Sequence, residues 1–180
     1  MLEKIRIVGA KDAVTGTVAP LHWILADKGG RCATVEKTAE GLGVMDNAAG
    51  VLSNSPDFGW HMTNLRNYMN VAPEQRRDAD WGPVQLHPFG QGGGTFGLPG
   101  DFTPPSRFVR AAYLKSHTPL PAGRDEAVVT CFHILENVSI PKGAVITERG
   151  TDDFTQYTAF MDLTDGTYFI RSCTNSEIVT

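Results

Sequence analysis

The apolar period changes twice along this chain, from alternating to helical and back to alternating. That order constrains the fold more than any other feature of the sequence. Strand-like segments gather at the two ends instead of interleaving one by one with helices. A chain ordered this way builds an α+β architecture or a layered sandwich, not a series of βαβ units. In the first group, Leu21 to Ala26 is a compact apolar run, Asp27-Lys28-Gly29-Gly30 supplies turn chemistry, and Arg31 to Val35 returns as a hairpin partner. Lys4 to Val8, Gly41 to Met45 and Gly50 to Ser53 read as further short strands. The last group is Tyr157 to Leu163 and Thr167 to Ser172, which flank Asp165-Gly166, the strongest short hairpin signal in the chain.

Between these groups the spacing is helical. Phe58, His61/Met62, Leu65 and Tyr68/Met69 share one face, and Asp57 is placed to cap that helix. By the same spacing, Phe58, Trp60 and Tyr68 read as core aromatics. A second helix has Thr103 before it and Pro104 at its first position, where the missing N–H costs nothing. A third has Asp125 and Glu126 in its first turn and Val128, Cys131/Phe132, Leu135 and Val138 along one face. Residues 72–105 form a long loop rich in Gly and Pro, a length usually reserved for function or disorder.

Composition narrows the class. A net charge of -4 offers no electrostatic reason to bind nucleic acid or an anionic membrane, and no apolar run is long enough to span a bilayer. Cys32, Cys131 and Cys173 are too widely spaced for a disulfide framework or a zinc pattern and read as small buried hydrophobes. No histidine pair has metal-ligand spacing, so neither a metal nor a cofactor is expected; His22 and His133, inside apolar segments, read as core histidines. Gly92-x-Gly94-x-x-Gly97 matches a dinucleotide fingerprint only on paper, because no strand feeds it and Pro99 follows where a helix should open. Its glycines instead let backbone pack closely.

Two positions invite chemistry. Asn54, at a strand-to-helix junction, is either a turn residue or an amide donor to an oxyanion. Arg107, in the first turn of its helix, opposes the helix dipole, which leaves a salt bridge or a polar site as its purpose. Asp101 is a loop cap or a site carboxylate; local sequence does not separate the two.

Read together, several stretches resemble the choloylglycine hydrolase and penicillin V acylase family of N-terminal-nucleophile amide hydrolases. They are Leu21-His22-Trp23-Ile24-Leu25-Ala26-Asp27-Lys28, then Gly50-Val51-Leu52-Ser53-Asn54-Ser55-Pro56 running into Asn64-Leu65-Arg66-Asn67-Tyr68. The longest runs from Gly97-Leu98-Pro99-Gly100-Asp101-Phe102 through Thr103-Pro104-Pro105-Ser106-Arg107-Phe108-Val109-Arg110. The last stretch looks most like the Gram-negative branch. The resemblance implies a portion of an αββα four-layer sandwich, with residues 1–180 as a single partial domain. It also implies hydrolysis of a linear carbon–nitrogen amide: a conjugated bile salt, penicillin V or a related N-acyl amide with a large apolar group. A cysteine at the mature N-terminus would attack, with its own α-amine as base. The family's strand-end asparagine falls on Asn54, as an oxyanion donor, and its arginine on Arg107, where a guanidinium favours thiolate over thiol. The stretch before Leu21 corresponds to a pocket loop, which makes Val18 and Leu21 candidate apolar contacts to substrate.

The departures are as specific as the match. The chain begins Met1-Leu2, and none of its three cysteines falls at the nucleophile's place. The family's early arginine, aspartate and first oxyanion asparagine have no counterpart here, and the end at Thr180 falls short of its closing strands. The expectation is a chain truncated at its N-terminus and at its C-terminus, inactive alone, that self-associates or pairs with the missing portion. The whole protein would be periplasmic, with the cytoplasm as the alternative. The competing expectation is a remnant without catalysis that binds a ligand or a partner chain.

Overall fold

Asp27 closes the first corner of the computed structural model, which describes residues 7–14, 16–18 and 21–180. Its Oδ1 accepts the backbone N–H groups of Gly29 (2.8 Å) and Arg31 (3.2 Å), and Gly30 takes φ +83° to complete the turn. The corner joins β1 (His22–Ala26) to β2 (Cys32–Thr38), and β3 (Gly41–Asp46) pairs on the other side of β2. Both pairings are antiparallel, with Val35 opposite Trp23 and Val44. The sheet's interior is at mid-β2, where Thr34, Val35 and Glu36 are buried. Asn47 fixes the exit from β3. Buried to 2% exposure, it donates to Thr34 Oγ1 (2.9 Å) and Val51 O (3.0 Å) and accepts from the Gly50 N–H (2.7 Å).

That web explains one difference from the sequence reading. Gly50 to Ser53 is irregular backbone, not a strand, because its polar groups are drawn to the Asn47 side chain. Of the strand expected over Lys4 to Val8, residues 4–6 lie outside the described part, and Ile7 and Val8 are irregular. The Ile7 carbonyl accepts from Lys37 Nζ at 3.3 Å.

The chain divides into two compact units, residues 1–52 and 53–180. The second opens with α1 (Phe58–Asn64), capped as predicted by Asp57 Oδ1, which accepts from Trp60 N–H at 2.9 Å. A 3-10 turn over Leu65–Tyr68 tightens its end. Phe58 is buried, whereas Trp60 is 43% exposed, so the expected aromatic core is only partly realised. Residues 72–105, read as a loop, hold the hairpin of β4 (Ala79–Trp81) and β5 (Val84–Leu86) and a 3-10 turn at Gly93–Thr95. Helices α2 (Pro104–His117) and α3 (Arg124–Glu136) follow.

The unit ends in an antiparallel sheet of β6 (Tyr157–Asp162), β7 (Thr167–Ser172) and β8 (Asn175–Val179), in that order. The Asp165-Gly166 hairpin forms as predicted, with Gly166 at φ +70°. Helix α3 lays Val128 and Phe132 against Phe169, with Phe160 beside them. Burying these side chains is the main local reason that α3 and the sheet hold together. The described chain is α+β, as the order of its periodicities requires.

Candidate active site

Asn54 precedes the cis Ser55–Pro56 peptide and the Asp57 cap, in the turn that delivers the chain into α1. His61, on the core-facing side of α1, reaches back to it: His61 Nε2 lies 2.8 Å from Asn54 O. A carbonyl only accepts, so Nε2 carries the proton and donates.

The other half of the site comes from α2. Pro104 and Pro105 occupy its first positions, where no N–H is needed. Thr103 stands at the cap position, yet its hydroxyl makes no cap to the helix backbone. Asp101 organises this end instead. Its carboxylate accepts from the Ser106 hydroxyl (2.6 Å), the Thr103 hydroxyl (2.5 Å) and the Thr103 N–H (2.9 Å). These donors, Ser106 first, pull the Asp101 carboxyl down to about 2. Asp101 therefore caps the loop ahead of α2 through Thr103 and Ser106, and it is not among the residues lining the cleft described below.

With the helix start held, Arg107 folds back across it. Its Nε donates to Phe102 O at 3.1 Å and its Nη2 to Asn54 Oδ1 at 2.7 Å. A guanidinium is donor-only, so it selects the oxygen of the Asn54 amide and turns both Nδ2 protons toward other acceptors. Burial pushes the Arg107 guanidinium down from its ordinary value; Asp153 pulls it back, and Arg110 adds to the lowering. It remains a cation.

Asn54 and Arg107 line one cleft of about 660 Å³. Phe102, Ile140, Val145 and Phe154 supply apolar wall, and Asp153 and Thr155 polar wall. An amide donor and a cation side by side on the wall of a partly apolar cleft suit a carbonyl that becomes an oxyanion.

The structure thus brings Asn54 and Arg107 together. Val18 and Leu21 lie in the first unit, 48% and 61% exposed, with Val18 bridged to Lys11. Two expectations about reactive side chains are corrected. Cys173 is exposed, because it sits in the turn after β7; Cys32 and Cys131 are partly buried, and burial pushes the Cys131 thiol up. His133 points to solvent, because the buried face of α3 is carried by Val128 and Phe132. No cysteine is among the residues lining the cleft.

Sequence reading missed the roles of two residues. Arg110, 7% exposed, donates to Pro99 O (2.8 Å), Asp101 O (2.6 Å) and Asn137 O (2.8 Å), which anchors the loop behind the site. Its signal is a second arginine about one turn after Arg107. His61 was legible only as a core-facing position.

The sequence model of linear amide C–N hydrolases, choloylglycine hydrolase family, matches residues 1–180. A conjugated bile acid hydrolase of Lactobacillus gasseri is 38% identical over 99% of this chain and 57% of its own length. A solved variant of the conjugated bile acid hydrolase from Clostridium perfringens superposes with TM-score 0.86, at 37% identity, over 99% of this chain and 54% of that one. Penicillin V acylase from Agrobacterium tumefaciens shares the fold at TM-score 0.67 and 22% identity, over 87% of this chain and 43% of that one. The chain spans little more than half the length of the first two.

Proposed function

The chain belongs to the linear amide C–N hydrolases of the choloylglycine hydrolase family, and on that premise we propose that the protein carrying these residues cleaves a linear amide whose carbonyl enters the cleft beside Arg107. One observation carries this reading: the 2.7 Å bond from Arg107 Nη2 to Asn54 Oδ1, which aims the Asn54 Nδ2 protons. Attack on the carbonyl carbon puts negative charge on its oxygen, and Asn54 Nδ2 donates to that oxygen. Arg107 supplies fixed positive charge, which favours a nearby thiolate. The nucleophile is an N-terminal cysteine from outside these 180 residues, with its α-amine as base. Its sulfur bonds to the carbonyl carbon, the protonated amine leaves, and water then releases the acid.

The substrate class is a conjugated bile salt, in line with the names of the two conjugated bile acid hydrolases above, with penicillin V as a second acyl amide of the same type. Phe102, Ile140, Val145 and Phe154 suit its apolar half. Val18 and Leu21, exposed on the stretch that resembles the family's pocket loop, are proposed as apolar substrate contacts. The two units belong to one domain larger than these residues, and the protein self-associates: both strands of the β4–β5 hairpin are exposed, with Trp81 at 75% and Phe89 just beyond it at 100%.

The test is amine release by the protein expressed from its whole gene. Glycine or taurine is expected from conjugated bile salts, and Asn54→Ala is expected to lower kcat by ~10²- to 10³-fold. An unchanged kcat in that variant would overturn the oxyanion role. The 180 residues alone are expected to release nothing, and release by them would overturn the external nucleophile.

A further inference from the structure

We propose that His61 is a positioning residue for this reaction, holding the Asn54 main chain so that the Asn54 amide keeps its aim; this rests on the amide-hydrolase reading above. The residue is fully buried, at 0% exposure. It stacks on Phe108 with ring centroids 4.6 Å apart and planes 10° from parallel, and meets Trp60 edge-on at 5.5 Å. Packing alone would be served by a phenylalanine there. The imidazole instead donates Nε2–H to Asn54 O at 2.8 Å and leaves Nδ1 buried without a hydrogen-bond partner. One hydrogen bond gained against one buried nitrogen left unpaired is a poor exchange for stability. The return is geometric.

Asn54 is a short side chain on a turn, so its amide points where its backbone points. Two helices fix it from two ends: α1 grips the carbonyl through His61, and α2 grips the amide oxygen through Arg107. The two grips are themselves coupled. Phe108 follows Arg107 on α2, is fully buried, stacks on His61 and meets Phe58 edge-on at 6.2 Å. Without the His61 bond, Arg107 would still hold the amide oxygen, but the backbone beneath it could tilt. An oxyanion donor tolerates little such displacement.

Two variants cross the alternatives. His61→Phe keeps the stack and removes the donor; His61→Gln loses the stack and keeps an N–H at the reach of Nε2. In the protein expressed from its whole gene, with a glycine-conjugated bile salt, His61→Phe is expected to lower kcat ~10- to 100-fold, with KM within about twofold. His61→Gln is expected to recover most of that loss. A kcat retained by His61→Phe, or lost as fully by His61→Gln as by His61→Phe, overturns the proposal. If His61→Phe does not fold, His61→Gln decides alone: kcat nearer wild type supports positioning, and kcat nearer Asn54→Ala overturns it. The carbon-13 shift of the Asn54 carbonyl separates this from failure of the function itself. A wild-type protein that cleaves no amide overturns the catalytic reading, and the catalytic sense of this proposal with it. The carbonyl shift still moves in His61→Phe, but not in His61→Gln, if the clamp exists.

Discussion

At Asn54 and Arg107 the chemistry depends on which atom faces which, and a change as small as Arg107→Lys tests it. Arg107 serves Phe102 O and Asn54 Oδ1 from two different nitrogens of one rigid fork. A lysine offers one ammonium on a flexible stem and does not reproduce both bonds. Arg107→Lys is expected to cost about tenfold or more in kcat, read by steady-state amine release. Asp101 makes a different prediction, in pH. Its folded value, about 2, lies below its ordinary one, so the stabilisation it gives is present above pH ~4 and is lost as pH falls toward 2. Thermal melts of wild type and Asp101→Asn are expected to differ at pH 6 and to converge as pH approaches 2. Local sequence showed that Asp101 and Arg107 needed polar partners, but not which ones. Those partners are decided by a fold-back at the start of α2 and, for Arg107, by a residue 53 positions away.

Among the elements, the α3 contact with β6 and β7 is the most exposed to a single truncation. Phe132 is 2% exposed, packs with Val128 and Phe169, and has the Arg171 guanidinium 5.1 Å from its ring. Phe132→Ala is expected to destabilise the chain by about 3–5 kcal/mol, measured by urea unfolding. Gly94 is constrained by backbone rather than by side chains. A Cβ there would lie 1.9 Å from Glu74 O and 2.5 Å from Ala72 O. Gly94→Ala is therefore expected to cost about 1–3 kcal/mol or more, because backbone must move to admit a methyl group. The close backbone approach that the sequence reading expected of Gly92, Gly94 and Gly97 occurs at Gly94; Gly92 and Gly97 serve instead through positive φ, +84° and +98°. What holds the segment was not legible in the sequence: Gln75 donates to Gly90 O at 2.6 Å and accepts from the Gly93 N–H at 2.7 Å, long-range bonds that no local pattern encodes. The β4–β5 hairpin escaped sequence reading for a related reason. Every residue of both strands is exposed, so there is no inside and outside for alternation to mark. Helix α1 and the Asp165-Gly166 hairpin were legible because cap and turn chemistry act within a few residues.

At the scale of the molecule, the sheet–helices–sheet order gave the α+β class, and family resemblance supplied what periodicity does not, namely which residues share a site. Neither could give the separation into two compact units, which depends on contacts across the chain. The exposed hairpin carries the whole-molecule prediction. Replacing Trp81 and Phe89 together by serine is expected to shift the protein toward monomer in light scattering over a concentration series, with the far-ultraviolet dichroism unchanged. The Arg110 anchor has a different consequence, for substitution tolerance. All three of its acceptors are main-chain oxygens, of Pro99, Asp101 and Asn137. Every amino acid brings such an oxygen, so the clamp survives changes of residue type at 99, 101 or 137 and fails with a change at 110. A saturation library of this unit would therefore find the clamp's own dependence one-sided: position 110 is intolerant on its account, positions 99 and 137 are free to drift, and position 101 is held only by the separate work of the Asp101 carboxylate.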